Sequence, residues 1–216
     1  ASFNQDNRGR WYFNVVVHYT PKQENGKSSV GIDLGCKSAA TDSNGDGVVG
    51  REYRALEQKL GIAQRARNKK RVKNIHAKIA NRRKDALHKY SHKLVQENAL
   101  IVVGNVSSKA MVKTKMAKSV LDAGWSTLKT MLEYKCAHAG VVFEEVNEAY
   151  TTQACSCCGA ISASSPKGRA GLGIREWTCT GCGTKHDRDI NAAKNILRLG
   201  HEALAVGIPH YSRSAA

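Results

Sequence analysis

Residues 29–50, SVGIDLGCKSAATDSNGDGVVG, decide the fold. Their apolar and β-branched residues predict a buried strand over 29–38, a second strand near 39–43 and a third near 47–53. The Gly, Asn and Asp residues before the third strand are typical of a hairpin turn. Asp33 lies inside the first strand, where a carboxylate is costly to bury without a partner or a metal ion. An edge or turn position is the alternative, but both flanks of this acid are apolar, so we treat it as a candidate site residue.

The remaining segments predict a mixed sheet covered by helices. ALIVVGNV, residues 99–106, is typical of a buried parallel strand, and GVVFEEV, residues 140–146, predicts another. Apolar residues at helical spacing predict a helix over 117–139, and DINAAKNILRLGHEAL, residues 189–204, predicts a last helix with Asp189 as its N-cap. Hairpin strands followed by strands that alternate with helices predict an α/β fold, an RNase H-like mixed five-stranded sheet with helices.

The charge of the chain indicates a polyanionic partner. Lys and Arg number 34 and Asp and Glu 18, which gives the 216 residues a formal net charge of +16. Such an excess favours nucleic acid or an anionic membrane as partner, and no apolar run is long enough to cross a bilayer. Residues 59–84 contain eleven Lys and Arg and no acid, with apolar residues at near-helical spacing.

We therefore predict one long helix, or two, in this basic region, with a face that binds phosphates without reading sequence. A solvated basic surface is the alternative. The expected nucleic-acid-binding residues are Arg65, Arg67, Lys69, Lys70, Arg71, Lys73, Arg82 and Arg83.

The cysteines predict a metal site. Five of the seven lie between Cys155 and Cys182, a spacing that is typical of metal binding rather than of disulfides. Two C-x-x-C pairs, each followed by Gly, would bring four thiolates to one Zn²⁺ ion and leave no open position, so the site should be structural. A redox C-x-x-C pair is the alternative. The predicted ligands are Cys155, Cys158, Cys179 and Cys182, and Cys157 is left unligated.

Asp33 and Asp189 form a second candidate site. Either residue alone has an ordinary explanation, but the predicted topology brings the first strand and the last helix side by side. Two carboxylates there could hold two divalent ions about 4 Å apart, which activate water and stabilise the leaving oxygen in phosphodiester hydrolysis.

Five motifs together resemble, in order and spacing, the C-terminal part of the TnpB family of insertion-sequence proteins, which is related to type V CRISPR effector nucleases. They are GIDLG at 31–35, IVVGNVSS at 101–108, TTQACSCCG at 151–159, WTCTGCG at 177–183 and HDRDINAAKNIL at 186–197. The resemblance implies a RuvC-type nuclease with two Mg²⁺ ions, a guide RNA and a target DNA as partners, and Asp33 and Asp189 as the first and last catalytic carboxylates. It also implies a bacterial cytoplasmic protein associated with the nucleoid.

The resemblance also implies a division into domains. Residues 10–20 predict a strand at the end of a wedge domain, so we expect the chain to be part of a longer protein. The expected parts are 1–28, the end of the wedge domain and a linker; 29–150, a RuvC-like core with a basic helical insertion at about 55–97; 151–186, the zinc ribbon; and 187–216, the last RuvC helix and a tail.

One position departs from the family pattern. The family usually ends the fourth core strand with Glu, where this chain has Gly104 followed by Asn105. Either the nuclease is inactive or another acid has taken over. Glu148 ends the neighbouring strand, has the reach, and would find room beside Gly104, although a solvated loop acid is its alternative. We predict Glu148 as the third catalytic and magnesium-binding carboxylate; Glu144 and Glu145 are weaker candidates because they fall inside the strand.

The leading hypothesis is an RNA-guided, Mg²⁺-dependent DNA endonuclease module. A nuclease-inactive, RNA-guided DNA-binding regulator is the second hypothesis, and Gly104 permits it. A plain zinc-ribbon nucleic-acid-binding module is the third, and the two aspartates in their motifs count against it.

Overall fold

A computed structural model describes residues 1–6, 8–18, 20, 26–51, 53–106, 117–168 and 170–206 of the chain. The strands are β1 Ser2–Gln5, β2 Trp11–Asn14, β3 Ser28–Asp33, β4 Ser38–Asp42, β5 Gly47–Val49, β6 Asn98–Gly104, β7 Val142–Val146, β8 Glu176–Thr178 and β9 Lys185–Asp187. The helices are α1 Arg54–Arg65, α2 Lys69–Glu97, α3 Ala117–Ala123, α4 Trp125–Ala139 and α5 Arg188–Ala205, with a short 3-10 helix at Ala170–Gly173.

The central sheet has the strand order β5-β4-β3-β6-β7. Strands β3, β6 and β7 are parallel, whereas β4 and β5 run antiparallel to their neighbours. This arrangement confirms the predicted mixed five-stranded sheet. Because the carboxyl ends of the three parallel strands meet at one edge, Asp33, Gly104 and the loop after Val146 lie at that same edge.

The N-terminal strand prediction was wrong in its extent. In place of one strand over 10–20, β1 and β2 form a separate antiparallel hairpin, and residues 15–18 lie outside any strand. The apolar side chains of this hairpin are exposed, with Phe3 at 72%. A run of β-branched residues favours extended backbone whether or not a partner strand is present, which is why the pattern alone did not set the bounds.

Two helical regions are each divided into two helices. The basic region breaks between α1 and α2, where Arg67 adopts φ +52° and the Asn68 side chain caps α2 by accepting from Arg71 N. The predicted helix over 117–139 breaks at Gly124, whose φ of +69° is left-handed and cannot continue an α-helix. No helix within the described ranges is long and apolar enough to cross a membrane.

The N-cap prediction for the last helix was also wrong. Asp187, not Asp189, caps α5, because its side chain accepts hydrogen bonds from the backbone amides of Asp189 and Ile190. Both acids stand at the helix start, and sequence alone did not show which one precedes it. Asp189 is thus in the first turn, and its carboxylate is not used for capping.

Helices cover both faces of the sheet. α2 and α4 pack on the larger core, while α5 packs on the opposite face around Leu100, Val102 and Ile196. The helix lies unusually close to β3, because a Cβ atom built on Gly31 would stand 2.1 Å from the backbone oxygen of Ala193. This close approach is what carries the first turn of α5 to the end of β3.

We predict that Gly31→Ala destabilises the protein, because its methyl group would overlap backbone atoms that cannot rotate away. The expected loss in the free energy of unfolding is about 1–3 kcal/mol or more. Gly173→Ala is the matched control, since a Cβ there meets nothing within 4 Å. Urea denaturation of the zinc-loaded chain would measure both variants, and equal stabilities would contradict the close packing of α5 on β3.

Candidate metal centres

Three acids come together at the carboxyl edge of the sheet. Asp33 is the last residue of β3, Asp189 is in the first turn of α5, and Glu148 follows β7 by two residues. Burial raises the pKa of Asp33 to about 7, and the negative charges of Asp189 and then Glu148 add to the effect. The negative charges of Asp189 and Glu148 can raise the pKa of Asp33 only if both carboxylates lie near it.

The Glu148 side chain fills the space that Gly104 leaves open. A Cβ atom built on Gly104 would lie 2.7 Å from Glu148 Oε2 and 3.2 Å from Glu148 Cβ. Any larger residue at position 104 would therefore displace this carboxylate. The Glu148 side chain thus lies beside Gly104, where the sequence predicted that it would reach. The catalytic role predicted for Glu148 is a separate matter.

The environment of Glu148 is that of a carboxylate that lacks a partner. Its Oε2 atom is buried and accepts no hydrogen bond. Burial raises the pKa of Glu148, and the positive charge of Lys129 opposes that rise. Buried polar atoms are nearly always satisfied, so this orphan oxygen is a feature that a bound cation would explain.

Two arginines contribute positive charge to the acidic cluster. Arg175 donates from Nη1 to both carboxylate oxygens of Asp189, at 2.9 and 3.1 Å. Arg188 and Arg175 both counter the rise in the pKa of Asp33. Neither arginine was selected from the sequence; Arg188 could have been, because it stands between two acids in the HDRD motif, whereas Arg175 has no local signal.

The three acids offer oxygen ligands only, which is the donor set that Mg²⁺ prefers. Within the described residues, the group of three or more candidate ligands whose atoms all lie within 4.8 Å of one another is the cysteine group. Asp33, Glu148 and Asp189 do not form so compact a group.

The cysteine centre has the spacing of a zinc site. Cys155 Sγ lies 3.6 Å from Cys182 Sγ, and Cys158 Sγ lies 3.8 Å from Cys179 Sγ. A tetrahedral ion with Zn–S bonds of about 2.3 Å would separate its sulfurs by about 3.8 Å. The four cysteines could therefore hold one zinc ion, and Cys157 lies outside the group.

The turn after each C-x-x-C pair is built as the sequence predicts. Gly159 and Gly183 have φ values of +77° and +75°, a left-handed conformation that glycine adopts at little cost. Their amides donate to the carbonyls of Cys155 and Cys179, which closes each turn around its pair of thiols.

Asparagines of α5 fasten the ribbon, residues 151–186, to the sheet domain. Asn191 and Asn195 are both buried, and each donates to the carbonyls of Ala154 and Thr151 at 2.7–3.2 Å. Thr151 in turn donates from its amide and its hydroxyl to the carbonyl of Glu148. These residues were not predicted from the sequence, although two Asn four positions apart on a helix could have indicated a buried polar contact.

His186 supports the cysteine centre from β9. Its Nε2 atom lies 3.0 Å from Cys155 Sγ, and its ring packs against Trp177 with centroids 4.9 Å apart. His186 lies outside the group of four candidate ligands, and its contact with Cys155 could orient that sulfur for an ion. His186 was not predicted from the sequence.

The basic residues proposed for nucleic-acid binding lie on α1, α2 and their junction. Seven of the eight are exposed, and the eighth, Arg83, is half-buried and donates to the carbonyl of Leu121. Arg83 also packs beside Gly124. It therefore supports the contact between α2 and α3, which weakens its case as a phosphate-binding residue.

We predict one zinc ion per chain, held by the four cysteines. Cys179→Ser should abolish zinc binding, because a neutral hydroxyl is a poor zinc ligand, whereas Cys157→Ser should leave the zinc content unchanged. Elemental analysis of the purified variants measures this. Zinc-free parent protein with freely titratable thiols would contradict the site.

The sheet, the acids at its edge and the inserted cysteine ribbon define a RuvC-type, RNase H-like protein. Two family models match the chain, "Probable transposase" over residues 12–115 and "Cas12f1-like, TNB domain" over residues 125–196. By these matches and those that follow, the chain belongs to the TnpB family.

Two relatives and one solved structure illustrate the similarity. A "Putative RNA-guided DNA endonuclease" of Streptomyces pristinaespiralis is 35% identical, over 96% of this chain and 54% of that protein. "TnpB-like protein L79" of Acanthamoeba polyphaga mimivirus is 28% identical, over 93% of this chain and 43% of that protein. A cryo-EM structure of a Cas12f1–sgRNA–target DNA complex shares the fold, with a TM-score of 0.56 and 20% identity over 78% of this chain and 49% of that one. The chain thus spans about half the length of its relatives.

Proposed function

We propose that the chain is the catalytic C-terminal part of an RNA-guided DNA endonuclease that hydrolyses phosphodiester bonds with two Mg²⁺ ions. The observation that carries the proposal is the gathering of Asp33, Glu148 and Asp189 at one sheet edge, with the Glu148 carboxylate in the space beside Gly104. The names of the relatives support an RNA guide and a DNA target as partners. We further propose that it acts on DNA at the bacterial nucleoid.

The proposed domain division has support from the N-terminal hairpin. β1 and β2 pair with each other and with no strand of the central sheet among the described residues. Their exposed aromatic side chains are suited to packing against a further β-structure, as the end of a wedge domain would require.

The roles of the acids follow from their positions. Asp33, Glu148 and Asp189 would hold the two ions, which when bound supply an activated water and a stabilised leaving oxygen. Trp125 fixes the segment after Asp33 by donating from its indole nitrogen to the carbonyl of Gly35 at 3.0 Å. Lys129 pairs with Glu145 at 2.7 Å and so anchors the end of β7 that leads to Glu148.

A nuclease-inactive regulator is the competing function, and Gly104 is the observation that favours it. The competition depends on whether Glu148 supplies the third charge. Two aspartates neutralise half the charge of two Mg²⁺ ions, so a third acid should strengthen their binding and fix their positions. The orphan Oε2 atom of Glu148 favours the active enzyme.

We predict that Glu148→Gln in the complete RNA-bound enzyme reduces DNA cleavage to the level of Asp33→Ala, because the change keeps the shape and removes the charge. DNA binding should survive, since guide pairing and the basic surface carry that step. Glu202→Gln is the matched control, because Glu202 is exposed and pairs with Arg198 near the far end of α5, and it should leave cleavage unchanged.

An exchange variant sharpens this test. Gly104→Glu alone should impair cleavage, since its side chain would collide with Glu148, whereas Gly104→Glu combined with Glu148→Gly should restore part of it. Full activity of Glu148→Gln would exclude Glu148 as a ligand. A parent enzyme that never cuts with Mg²⁺ or Mn²⁺ would establish the regulator instead.

We also propose that the exposed basic face of α1 and α2 binds nucleic-acid phosphates. Within the described residues, Arg65, Arg67, Lys69, Lys70 and Arg71 form no ion pair, and the pair Lys89–Asp85 farther along α2 is exposed. A face of this kind would contact the backbone of a guide–target duplex irrespective of sequence.

We predict that replacing Arg65, Arg67, Lys69, Lys70 and Arg71 with Ala weakens binding to all nucleic-acid sequences alike. The slope of log affinity against log salt should become shallower by up to about 4.5, if each residue displaces one counterion from a duplex. Fluorescence anisotropy with two unrelated duplexes across a salt series measures both quantities. An unchanged affinity and slope would show that this face is only solvated.

A further inference from the structure

Arg175 of the ribbon holds the carboxylate of Asp189 at the edge of the sheet. Its Nη1 atom donates to both oxygens of Asp189, at 2.9 and 3.1 Å. The Asp189 side chain is only 24% exposed, so solvent screens this charge-assisted contact less than it screens an ion pair at the open surface. The carboxylate that the proposed function assigns to a metal ion is therefore bound by a cation of the chain itself.

The backbone fixes the base of the Arg175 side chain beside the start of α5. The carbonyl of Arg175 accepts a hydrogen bond from the amide of Arg188 at 2.7 Å, and β8 begins at the next residue. Cys179, a predicted zinc ligand, follows Arg175 by four positions. The contact with Asp189 thus joins the segment that leads into the second C-x-x-C pair to the first turn of α5.

Arg175 also supplies positive charge to the acidic cluster as a whole. It opposes the rise in the pKa of Asp33, so its charge acts on this second carboxylate too. A divalent ion bound by Asp33 and Asp189 would supply positive charge at the same place. Because like charges repel more strongly where water is partly excluded, the ion and the guanidinium would compete for the oxygens of Asp189.

The cleft beside Asp189 gives the guanidinium a place to move to. Its volume is about 370 Å³, and Arg175, Asp187 and Asp189 all line it. Asp187 uses its Oδ1 atom to cap α5, which leaves Oδ2 for another donor. A rotation of the Arg175 side chain could therefore transfer it from one acid to the other while the backbone of the ribbon stays in place.

We propose that Arg175 competes with divalent metal ions for Asp189, so that the ribbon lowers the affinity of the acidic cluster for its ions until this contact is released. Arg175 would thus control metal loading without being a ligand. The inference rests on the proposed function for the presence of a metal centre at the three acids. If Arg175 only fastened the ribbon to α5, its removal would loosen Asp189 and weaken metal binding, which is the opposite result.

The test measures Mn²⁺ binding to the zinc-loaded chain without nucleic acid, by electron paramagnetic resonance of the free ion. Binding at the acidic cluster is defined as the part that Asp33→Asn abolishes. Arg175→Gln should tighten this binding at least fivefold, because Asp189 no longer has to give up a cation. Arg175→Met removes the same charge and should change the affinity in the same direction, and zinc content shows whether the ribbon of each variant is intact.

Lys37→Gln is the matched control for the general effect of charge. Lys37 lines the same cleft and, within the described part of the chain, forms no ion pair with Asp189. Losing its charge should tighten Mn²⁺ binding less than twofold. An equal gain from Lys37→Gln and Arg175→Gln would show that only the electrostatic field of the cleft matters, and it would overturn the proposed competition.

Three other results would also count against the proposal. Unchanged or weaker Mn²⁺ binding in both Arg175 variants, with zinc content equal to that of the parent, would overturn the competition and leave the metal centre standing. Loss of zinc from both variants would show that Arg175 is a structural tie of the ribbon and would overturn it as well. Mn²⁺ binding that Asp33→Asn leaves unchanged, in the parent and in both variants, would contradict the proposed metal centre itself.

Discussion

The contact between α5 and β3 is the constraint on which the rest of the structure depends. At Gly31 the helix backbone comes so near the strand that no side chain fits between them. The same approach brings Asp189 toward Asp33 and places Asn191 and Asn195 where they hold the ribbon. One close backbone contact thus affects both candidate metal centres. The helix that it positions carries Asp189 of the acidic cluster, and it also carries the two asparagines that hold the cysteine ribbon.

The buried and mutually repelling carboxylates of the acidic cluster raise the free energy of the folded state, and other interactions must offset this. Asp33 is disfavoured as an anion by burial and by its two acidic neighbours, and Arg188 and Arg175 lessen that cost without removing it. Lys129 has the same effect on Glu148. Such an arrangement contributes nothing to stability by itself, since like charges in a poorly solvated place repel. Under the proposed function, divalent cations bound by the three acids would offset this repulsion.

Sequence predicted the parts of this molecule that local pattern determines. The five strands of the sheet and the four cysteines follow from hydrophobic runs and fixed spacing, and the space beside Gly104 followed from comparing one position with a family pattern. Arg175, His186 and the two asparagines were missed because their meaning depends on partners 14 to 44 residues away. The cap of α5 was misassigned for the opposite reason, since two acids stand two positions apart at the helix start and only the backbone geometry shows which one is the cap.

The hydrogen bonds of Thr151 change which part of the protein governs the acidic cluster. A carboxylate at the end of β6 would be held by the hydrogen bonds of the central sheet, which are among the last in a domain to open. Glu148 instead accepts a hydrogen bond from Thr151, the first residue of the ribbon, and Thr151 accepts one from Asn195 on α5. The position of Glu148 therefore depends on whether this end of the ribbon stays closed against α5. A change in the ribbon, such as the loss of a zinc ion from its four cysteines, would therefore act on Glu148 before it acts on Asp33, which lies on β3.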